Sequence, residues 1–283
     1  MSKSRIHLVC VIGGSEVALL PHQIEHYRSL GIESFFLIRH TESTADAAFH
    51  AVEAYAAAAG ISIFHSHLSP WEDAINQRLV RYAMDENPDD WHVVVDSDEF
   101  QVYDRPLDEL VDHCDRHGYD HVMGCLLDRI GPDGSFPGVR DGSIWKQFPL
   151  AGSISAALVR ALPLKAVLVH GRAQLLYGQH GVPDGRPMPR EQAYVQVHHF
   201  KWTRTSLGQL RRRIERYEAG TWHPHPAVIR ETRRFLRHVD EQGGRIDVAD
   251  PRLKLHPAGC RFSDYPYWAE VADEAQGWRW TLR

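Results

Sequence analysis

The chain has 283 residues, of which 43% are hydrophobic and 24% are charged. This is the composition of an ordinary soluble protein, with enough material for one large domain or two small ones. The formal net charge of -5 gives no overall attraction to nucleic acid, so we expect no nonspecific DNA binding. The four cysteines form no Cys-x-x-Cys pair, which argues against a zinc ribbon or a disulfide framework. No segment resembles a signal-peptide core or has the roughly 18 apolar residues of a membrane helix, which favours a cytoplasmic protein.

The first third of the chain alternates predicted strands and helices. The segment "RIHLVCVI" predicts a buried strand, after which Gly13-Gly14 permits a sharp turn into a helix. The segments "IESFFLIRH" and "ISIFHSH" predict two more strands, separated by an alanine-rich helix that ends at Gly60. The apolar residues of the first helix recur at helical spacing, at Leu20, Ile24, Tyr27 and Leu30.

A third helix and a fourth strand continue this alternation. In "SPWEDAINQRLVRYAMDEN", Ser69 suits an N-cap, Pro70 the first helical position and Glu72 the third, which predicts a capping box. The segment "WHVVV" then predicts the fourth strand. Strands that alternate with helices through short connections indicate a mostly parallel sheet covered on both faces, whose ligands gather at the carboxyl ends of its strands.

The rest of the chain loses the regular alternation. A helix over Pro106 to His117 precedes the predicted strand "YDHVMGCLL" and the turn-rich stretch "DRIGPDGSFPG". The segment "YVQVHHFKW" predicts a further strand. Two more helices are expected, at Ser206 to Ala219 and at Ala227 to Gln242.

Three carboxylates crowd the end of the fourth strand, in "WHVVVDSDEF". In an extended backbone Asp96 and Asp98 point to one face and Glu99 to the other. Two carboxylates on one face repel unless a cation neutralises them, and hard oxygen ligands select Mg²⁺ or Mn²⁺. The pattern therefore predicts a divalent metal site for the phosphates of a nucleotide-linked donor. The alternative is a solvated turn in which Asp96 caps the next segment.

Several ordered motifs carry a family resemblance. The segments "HQIEHYRSLGIESFFLI", "STAD", "WEDAINQRLVRYAM" and "WHVVVDSDEF" resemble the soluble branch of the family 2 glycosyltransferases, over residues 5–103 and more loosely as far as "HHFKW". The resemblance implies an α/β, Rossmann-like GT-A fold, with a mixed, mostly parallel sheet, helices on both faces and a C-terminal helical extension. It implies one domain over 1–283, with a nucleotide-sugar-binding half at 1–103, an acceptor-side half at 104–204 and the helical extension at 205–283.

The resemblance also implies where a UDP- or GDP-linked sugar would lie. Asp96 would lie near the ribose and the metal, and Asp98 would be the principal ligand of Mn²⁺ or Mg²⁺. Asp46 would lie near the base or ribose, although it also suits the start of the alanine-rich helix as a cap. Glu16 matches an acidic residue of the family, but the Asn that precedes that residue in relatives is replaced within "GGSE".

A late histidine returns to the metal in this family, and "VHHFKW" is the matching segment. His198 and His199 alternate on their strand, and His199 is favoured because the usual His-aromatic pair maps onto His199-Phe200. Lys165 and His180 match positions where the family has Lys and His. Lys165 would contact the diphosphate, and its alternative is a solvated strand lysine.

Inverting transfer of a sugar requires a base to deprotonate the acceptor. The candidates are Asp128, which follows a strand, and Asp133, which also suits a turn in Pro-Asp-Gly. The resulting prediction is a metal-dependent glycosyltransferase acting on a small-molecule or glycan acceptor through its hydroxyl or amine. The alternatives are a nucleotidyltransferase acting on sugar phosphates and a noncatalytic nucleotide- or glycan-binding protein. Against the former, "GGSEVALLP" has no Lys or Arg to hold phosphates.

Overall fold

The computed structural model describes residues 5–222 and 226–278, apart from the side chains of residues 15, 16 and 73. The chain divides into two compact units. Unit one comprises the described residues up to Gly124 together with Lys165–Val195, and unit two comprises Cys125–Leu164 and the described residues from Gln196 onwards. Across these two described stretches, every helix is too short or too polar to cross a bilayer.

The secondary structure follows the chain in the order strand, helix, strand through the first part. The elements are β1 (Ile6–Ile12), α1 (Leu20–Ser29), β2 (Ser34–Thr41), α2 (Ala47–Ala58), β3 (Ile63–Leu68), α3 (Asp73–Met84), β4 (Trp91–Asp96), β5 (Glu99–Val102) and α4 (Leu107–His117). The later elements are β6 (His121–Ile130), α5 (Ile144–Gln147), β7 (Leu150–Gly152), β8 (Leu164–His170), β9 (Val195–His199), α6 (Ser206–Glu218), α7 (Pro226–Glu241), β10 (His256–Pro257) and α8 (Trp268–Gly277).

Unit one is built on a sheet with the strand order β8-β4-β1-β2-β3. The pairs β4–β1, β1–β2 and β2–β3 are parallel, and the pair β8–β4 is antiparallel. Five of the six residues of β4 are buried, because this strand has a neighbour on each side and reads as a continuous apolar run. The predicted mixed, mostly parallel α/β fold of the Rossmann-like GT-A kind is confirmed.

The helix α3 packs against one face of this sheet. Its buried residues Ile75, Leu79 and Ala83 recur every four positions and pack into one core with Val9 of β1 and Val94 of β4. This core holds β1 and β4 in place, and polar residues follow at the carboxyl end of β4.

The start of α3 differs from its prediction. The helix begins at Asp73, and its N-cap Glu72 makes no capping hydrogen bond with its side chain, so no capping box forms at Ser69. The backbone N–H of Ser69 instead donates to the carbonyl of Thr41 at 3.1 Å, and its hydroxyl lies 3.1 Å from Nε2 of His40. Ser69 is thus tied to the end of β2 and is unavailable as a cap.

In unit two, β10, β7 and β6 pair in an antiparallel arrangement. The helices α6 and α7 confirm the two late predicted helices to within a residue at each end. Their apolar faces share a core in which Trp202 stacks on Phe235 with ring centroids 4.1 Å apart. The helix α8 was not predicted, because its sequence reads only as an aromatic-rich tail.

Candidate functional site

Five side chains of unit one meet at the carboxyl end of β4 and form what we call the lysine cluster. They come from five places: the end of β4, the start of β5, the helix α3, the strand β8 and the loop that follows β8. The members are Asp96, Glu99, Asn76, Lys165 and Gln179.

Lys165 is the centre of this cluster. Its ammonium lies 2.6 Å from Oδ2 of Asp96 and 2.8 Å from Oε1 of Glu99. It also donates to Oε1 of Gln179 at 3.1 Å. The side chain is only 6% exposed, so this lysine is not the solvated strand residue of the alternative interpretation. All three ammonium donors are engaged by protein oxygens, so a bond to a diphosphate would require one of them to be given up.

Asp96 is held on both carboxylate oxygens. Oδ2 accepts from Lys165, and Oδ1 accepts from the amides of Gln179 at 3.3 Å and Asn76 at 3.4 Å. The side chain nevertheless keeps 34% of its surface exposed. The carboxylate is therefore fixed in direction while one flank remains open to a ligand.

Glu99 points into the cluster, and this orientation differs from the one expected. Residues 97 and 98 form a turn, so the alternation of an extended strand stops at Asp96. Glu99 opens β5 and directs Oε2 back to the backbone N–H of Asp96 at 3.1 Å. The amide of Gln23 also donates to the carbonyl of Asp96 at 2.9 Å, and Tyr27 donates to that of Glu99 at 3.2 Å. The turn is thereby anchored from α1.

The charges of the cluster stabilise one another. Burial by itself would raise the pKa of the Asp96 carboxyl, and the nearby charge of Asp98 acts in the same direction, but the ammonium of Lys165 outweighs both and lowers it. Burial by itself would lower the pKa of Lys165, but the charges of Asp96 and Glu99 outweigh it and raise that pKa. The pair is therefore ionised at neutral pH.

The cluster does not fit a divalent cation at Asp96. Across the described residues, no group of three or more His, Cys, Asp or Glu side chains is arranged to hold a metal. N–H donors lie at both oxygens of Asp96, and the Lys165 ammonium, 2.6 Å from Oδ2, would repel Mg²⁺ or Mn²⁺ there. Of the predicted metal ligands, Asp96 and Asp98 belong to unit one and His199 to unit two. The metal roles of Asp98 and His199 stay predictions.

Asn76 and Gln179 were missed by the sequence interpretation. Gln179 has φ +56°, a left-handed conformation that is uncommon outside glycine, and it follows Gly178 with φ +65°. The segment Gly-Gln-His-Gly was a signal of an unusual turn there. Asn76 gave no signal, because a polar residue on a predicted amphipathic helix reads as solvent-facing.

Asp46 and Glu16, the other residues predicted to contact the nucleotide-sugar, follow the neighbouring strands β2 and β1. Asp46 is the N-cap of α2 and accepts from the backbone N–H of Ala48 at 2.9 Å, as its alternative interpretation expected. A Cβ at Gly13 would lie 1.8 Å from the carbonyl oxygen of His40, so this glycine permits close packing of β1 against β2. The side chain of Glu16 lies outside the described part of the chain. Nucleotide contacts of Asp46 and Glu16 stay predictions.

In unit two, the predicted residues Asp128 and His199 meet in a second group, which we call the Asp128 cluster. Asp128 is 1% exposed. Its carboxylate accepts from the hydroxyl of Ser155 at 2.6 Å, from Nε1 of Trp202 at 2.8 Å and from the backbone N–H of Ser155. Nδ1 of His199 lies 3.0 Å from its Oδ1. With four donors around it, Asp128 would need a rearrangement before it could act as a base.

The remaining predicted residues of unit two have local partners. Asp133 is exposed and accepts from the backbone N–H and hydroxyl of Ser135, in a turn completed by Gly134 with φ +77°. His198 is buried, with Nδ1 at 3.4 Å from Nη1 of Arg129 and Nε2 at 3.2 Å from Oε1 of Gln196. Asp133 therefore has the turn geometry that its Pro-Asp-Gly context predicts.

A surface cavity of about 730 Å³ lies apart from the lysine cluster, between the end of α2 and the first half of β3. Its lining includes Arg39, Glu53, Phe64 and His65. Its lining shares no residue with the lysine cluster. The cavity therefore gives no support to a donor site.

No protein-family model matches the sequence, and no curated protein sequence matches it. Among solved structures, the chain is similar to S. aureus TarS in complex with UDP-GlcNAc, with a TM-score of 0.38 and 11% identity over 83% of this chain and 73% of that one. It is also similar to a Bacillus anthracis protein described as a glucose-1-phosphate thymidylyltransferase, in complex with a sucrose, with a TM-score of 0.31 and 11% identity.

The second similarity covers 47% of this chain and 58% of the thymidylyltransferase chain, so less than two thirds of that protein is spanned. Similarities of this size carry no argument about function. The case for a function therefore rests on the side chains at the end of β4.

Proposed function

We propose that this chain is a glycosyltransferase that moves a sugar from a nucleotide-diphosphate donor, linked to UDP or GDP, to a hydroxyl or amine acceptor. The observation that carries the proposal is the Asp96 carboxylate, which is held in direction and 34% exposed at the carboxyl end of β4, where sheets of this kind bind their ligands. An ionised carboxylate accepts hydrogen bonds from hydroxyl groups and repels phosphate. Its expected ligand is therefore the ribose or the sugar of the donor.

Asn76 adds a second acceptor to the same place. Its amide nitrogen donates to Asp96, while its Oδ1 is buried and has no hydrogen-bond partner among the described residues. A buried acceptor without a partner is costly, so a ligand hydroxyl that reaches Oδ1 would gain a bond there. Two acceptors side by side suit a polyhydroxyl group, which agrees with the resemblance of the motifs around "WHVVVDSDEF" to sugar-transferring enzymes.

The proposed reaction breaks the bond between the sugar carbon and the diphosphate oxygen and forms a new bond from that carbon to the acceptor. A base takes the proton that the acceptor loses, and a single displacement inverts the configuration. Asp133 and Asp128 remain the candidates for the base. Asp133 has an exposed carboxylate, whereas Asp128 is buried within four hydrogen bonds. The exposed group is the more accessible of the two.

The test is a thermal-shift screen of UDP- and GDP-sugars, followed by assay of sugar transfer to a panel of acceptors. We expect one donor family to raise the Tm of the wild-type chain and Asp96→Asn to weaken its binding about tenfold or more. Asp133→Asn is the control for binding, because it changes an exposed carboxylate held in a local turn. If Asp133 is the base, this variant keeps the shift in Tm and loses transfer.

The alternatives predict other outcomes of the same screen. A nucleotidyltransferase would consume a nucleoside triphosphate with a sugar phosphate, and a noncatalytic protein would bind a nucleotide or glycan without turnover. If no nucleotide-sugar changes the Tm of the wild-type chain, the glycosyltransferase proposal fails.

A further inference from the structure

The ammonium of Lys165 sits inside a shell of three protein oxygens. Oδ2 of Asp96, Oε1 of Glu99 and Oε1 of Gln179 lie 2.6, 2.8 and 3.1 Å away. These are ordinary hydrogen-bond lengths for an ammonium, whereas Mg²⁺ holds its oxygens at about 2.1 Å. The shell is therefore sized for an ammonium group and satisfies all three of its donors.

The ammonium within this shell also offsets the repulsion between the carboxylates of Asp96 and Glu99. Asp96 and Glu99 bring two negative charges together, and Glu99 is only 1% exposed, so solvent does little to separate them. A cation between them is required, and in metal-binding proteins a divalent ion fills such a position. Here a covalently attached cation already fills it, supplied by β8.

The surrounding residues support the lysine rather than a metal. The amides of Asn76 and Gln179 direct two N–H donors at Oδ1 of Asp96, and the ammonium of Lys165 would repel a divalent cation at Oδ2. Gln179 adopts its left-handed conformation while bonding to both Lys165 and Asp96. Such a conformation persists only where its surroundings enforce it.

We infer that Lys165 is a built-in cation that takes the place of a divalent metal at Asp96 and Glu99, and thereby positions Asp96 for a ligand hydroxyl without a metal bound to it. Lys165 is a positioning residue in this scheme, because it acts on the ligand through Asp96. The inference rests on the proposed function only for the identity of that ligand, since the charge arrangement stands without it.

The test measures binding of Mn²⁺ alone, without nucleotide, by the loss of the electron paramagnetic resonance signal of free Mn²⁺. We expect the wild-type chain to bind no Mn²⁺ that depends on Asp96. Lys165→Ala removes the cation and leaves space between the oxygens of Asp96, Glu99 and Gln179, so this variant should gain a Mn²⁺ site at least about tenfold tighter than any in the wild type.

Lys165→Met is the matched control, because it removes the same charge while filling the space. Both variants should lower the Tm by roughly 10 °C, since a buried carboxylate loses its partner. Mn²⁺ should restore the Tm of Lys165→Ala and leave that of Lys165→Met unchanged. The double variant Lys165→Ala/Asp96→Asn should lose the gained Mn²⁺ site, which a merely structural lysine would not predict.

Two results would overturn the inference. One is a Mn²⁺ site in the wild-type chain that Asp96→Asn abolishes, and this measurement decides the question even if neither Lys165 variant folds. The other is a folded Lys165→Ala that gains no Mn²⁺ binding. Neither result depends on a nucleotide, so failure here and failure of the glycosyltransferase proposal are separate outcomes.

Discussion

Nδ1 of His199 lies 3.0 Å from Oδ1 of Asp128, and both side chains are buried. A carboxylate in this position keeps the proton of a neutral imidazole on Nδ1 and leaves the lone pair on Nε2. The sequence interpretation gave the two residues separate tasks, Asp128 as a base and His199 as a metal ligand. Their contact makes Asp128 the group that orients His199, whichever task Nε2 performs.

Replacing Asp128 with Asn tests this arrangement. The amide removes the charge and places an NH2 group among the donors of Ser155, His199 and Trp202. We expect the free energy of unfolding to fall by about 2–4 kcal/mol, because buried donors lose their acceptor. Urea denaturation measures this loss, and the ¹⁵N shifts of the His199 ring report the change of tautomer.

The comparison variant is Asp133→Asn, which makes the same chemical change on an exposed turn. Its free energy of unfolding should stay within about 0.5 kcal/mol of the wild-type value. If the two variants are equally stable, the hydrogen bonds to Asp128 do not hold unit two together as its burial indicates.

Gly13 is predicted to tolerate no side chain. Its φ of -174° is open to any residue, so the restriction comes from space alone: a Cβ would lie 1.8 Å from the carbonyl oxygen of His40. We expect Gly13→Ala to lower the free energy of unfolding by about 2–4 kcal/mol, because β1 must move away from β2. Gly277→Ala is the control, since a Cβ there meets no atom within 4 Å. Equal Tm values for the two variants would contradict this explanation.

Acid should destabilise the fold through His92. This side chain has no exposed surface, and neither ring nitrogen has a hydrogen-bond partner among the described residues. Burial, followed by the charges of His7 and Arg81, lowers the pKa of His92 to about 3. Between that pKa and the usual one near 6.5 the unfolded chain binds a proton that the folded chain excludes. The free energy of unfolding should therefore fall as the pH drops through this window, by about 1.4 kcal/mol per pH unit at most from this group.

A substitution at His92 tests whether this residue causes the pH dependence of stability. His92→Phe removes the titrating ring, so urea denaturation at about pH 7 and about pH 5 should show a smaller loss of stability on acidification than in the wild type. His26, whose pKa burial lowers to about 4, will preserve part of the slope. His50→Phe makes the same change on an exposed side chain while leaving His92 in place and is the comparison variant, and an unchanged slope in His92→Phe would count against the assignment.

Much of unit one was predictable because its elements are encoded over short distances. The apolar runs of β1 and β4, the stop at Gly60 and the apolar spacing of α1 each lie within one element, and the structure confirms them. The carboxyl end of β4 was likewise predicted as the place where polar residues gather. The predicted start of α3 was wrong because Ser69, which suits an N-cap by its sequence context, forms hydrogen bonds with residues of β2 instead.

The side chains that contact Asp96 at the end of β4 come from distant parts of the sequence, so local sequence patterns do not predict these contacts. Gln179 and Lys165 are separated from Asp96 by 83 and 69 residues in the sequence. Contacts over such sequence separations produce no periodic pattern of residues. Alternation along an extended strand predicted the wrong side for Glu99, because the turn at residues 97 and 98 breaks the strand. Burial patterns within one element therefore specify strands, helices and the edge that carries the polar residues. Which cation faces the carboxylates depends on long-range packing, since hydrogen bonds and ion pairs form only once β8 and the following loop lie beside β4.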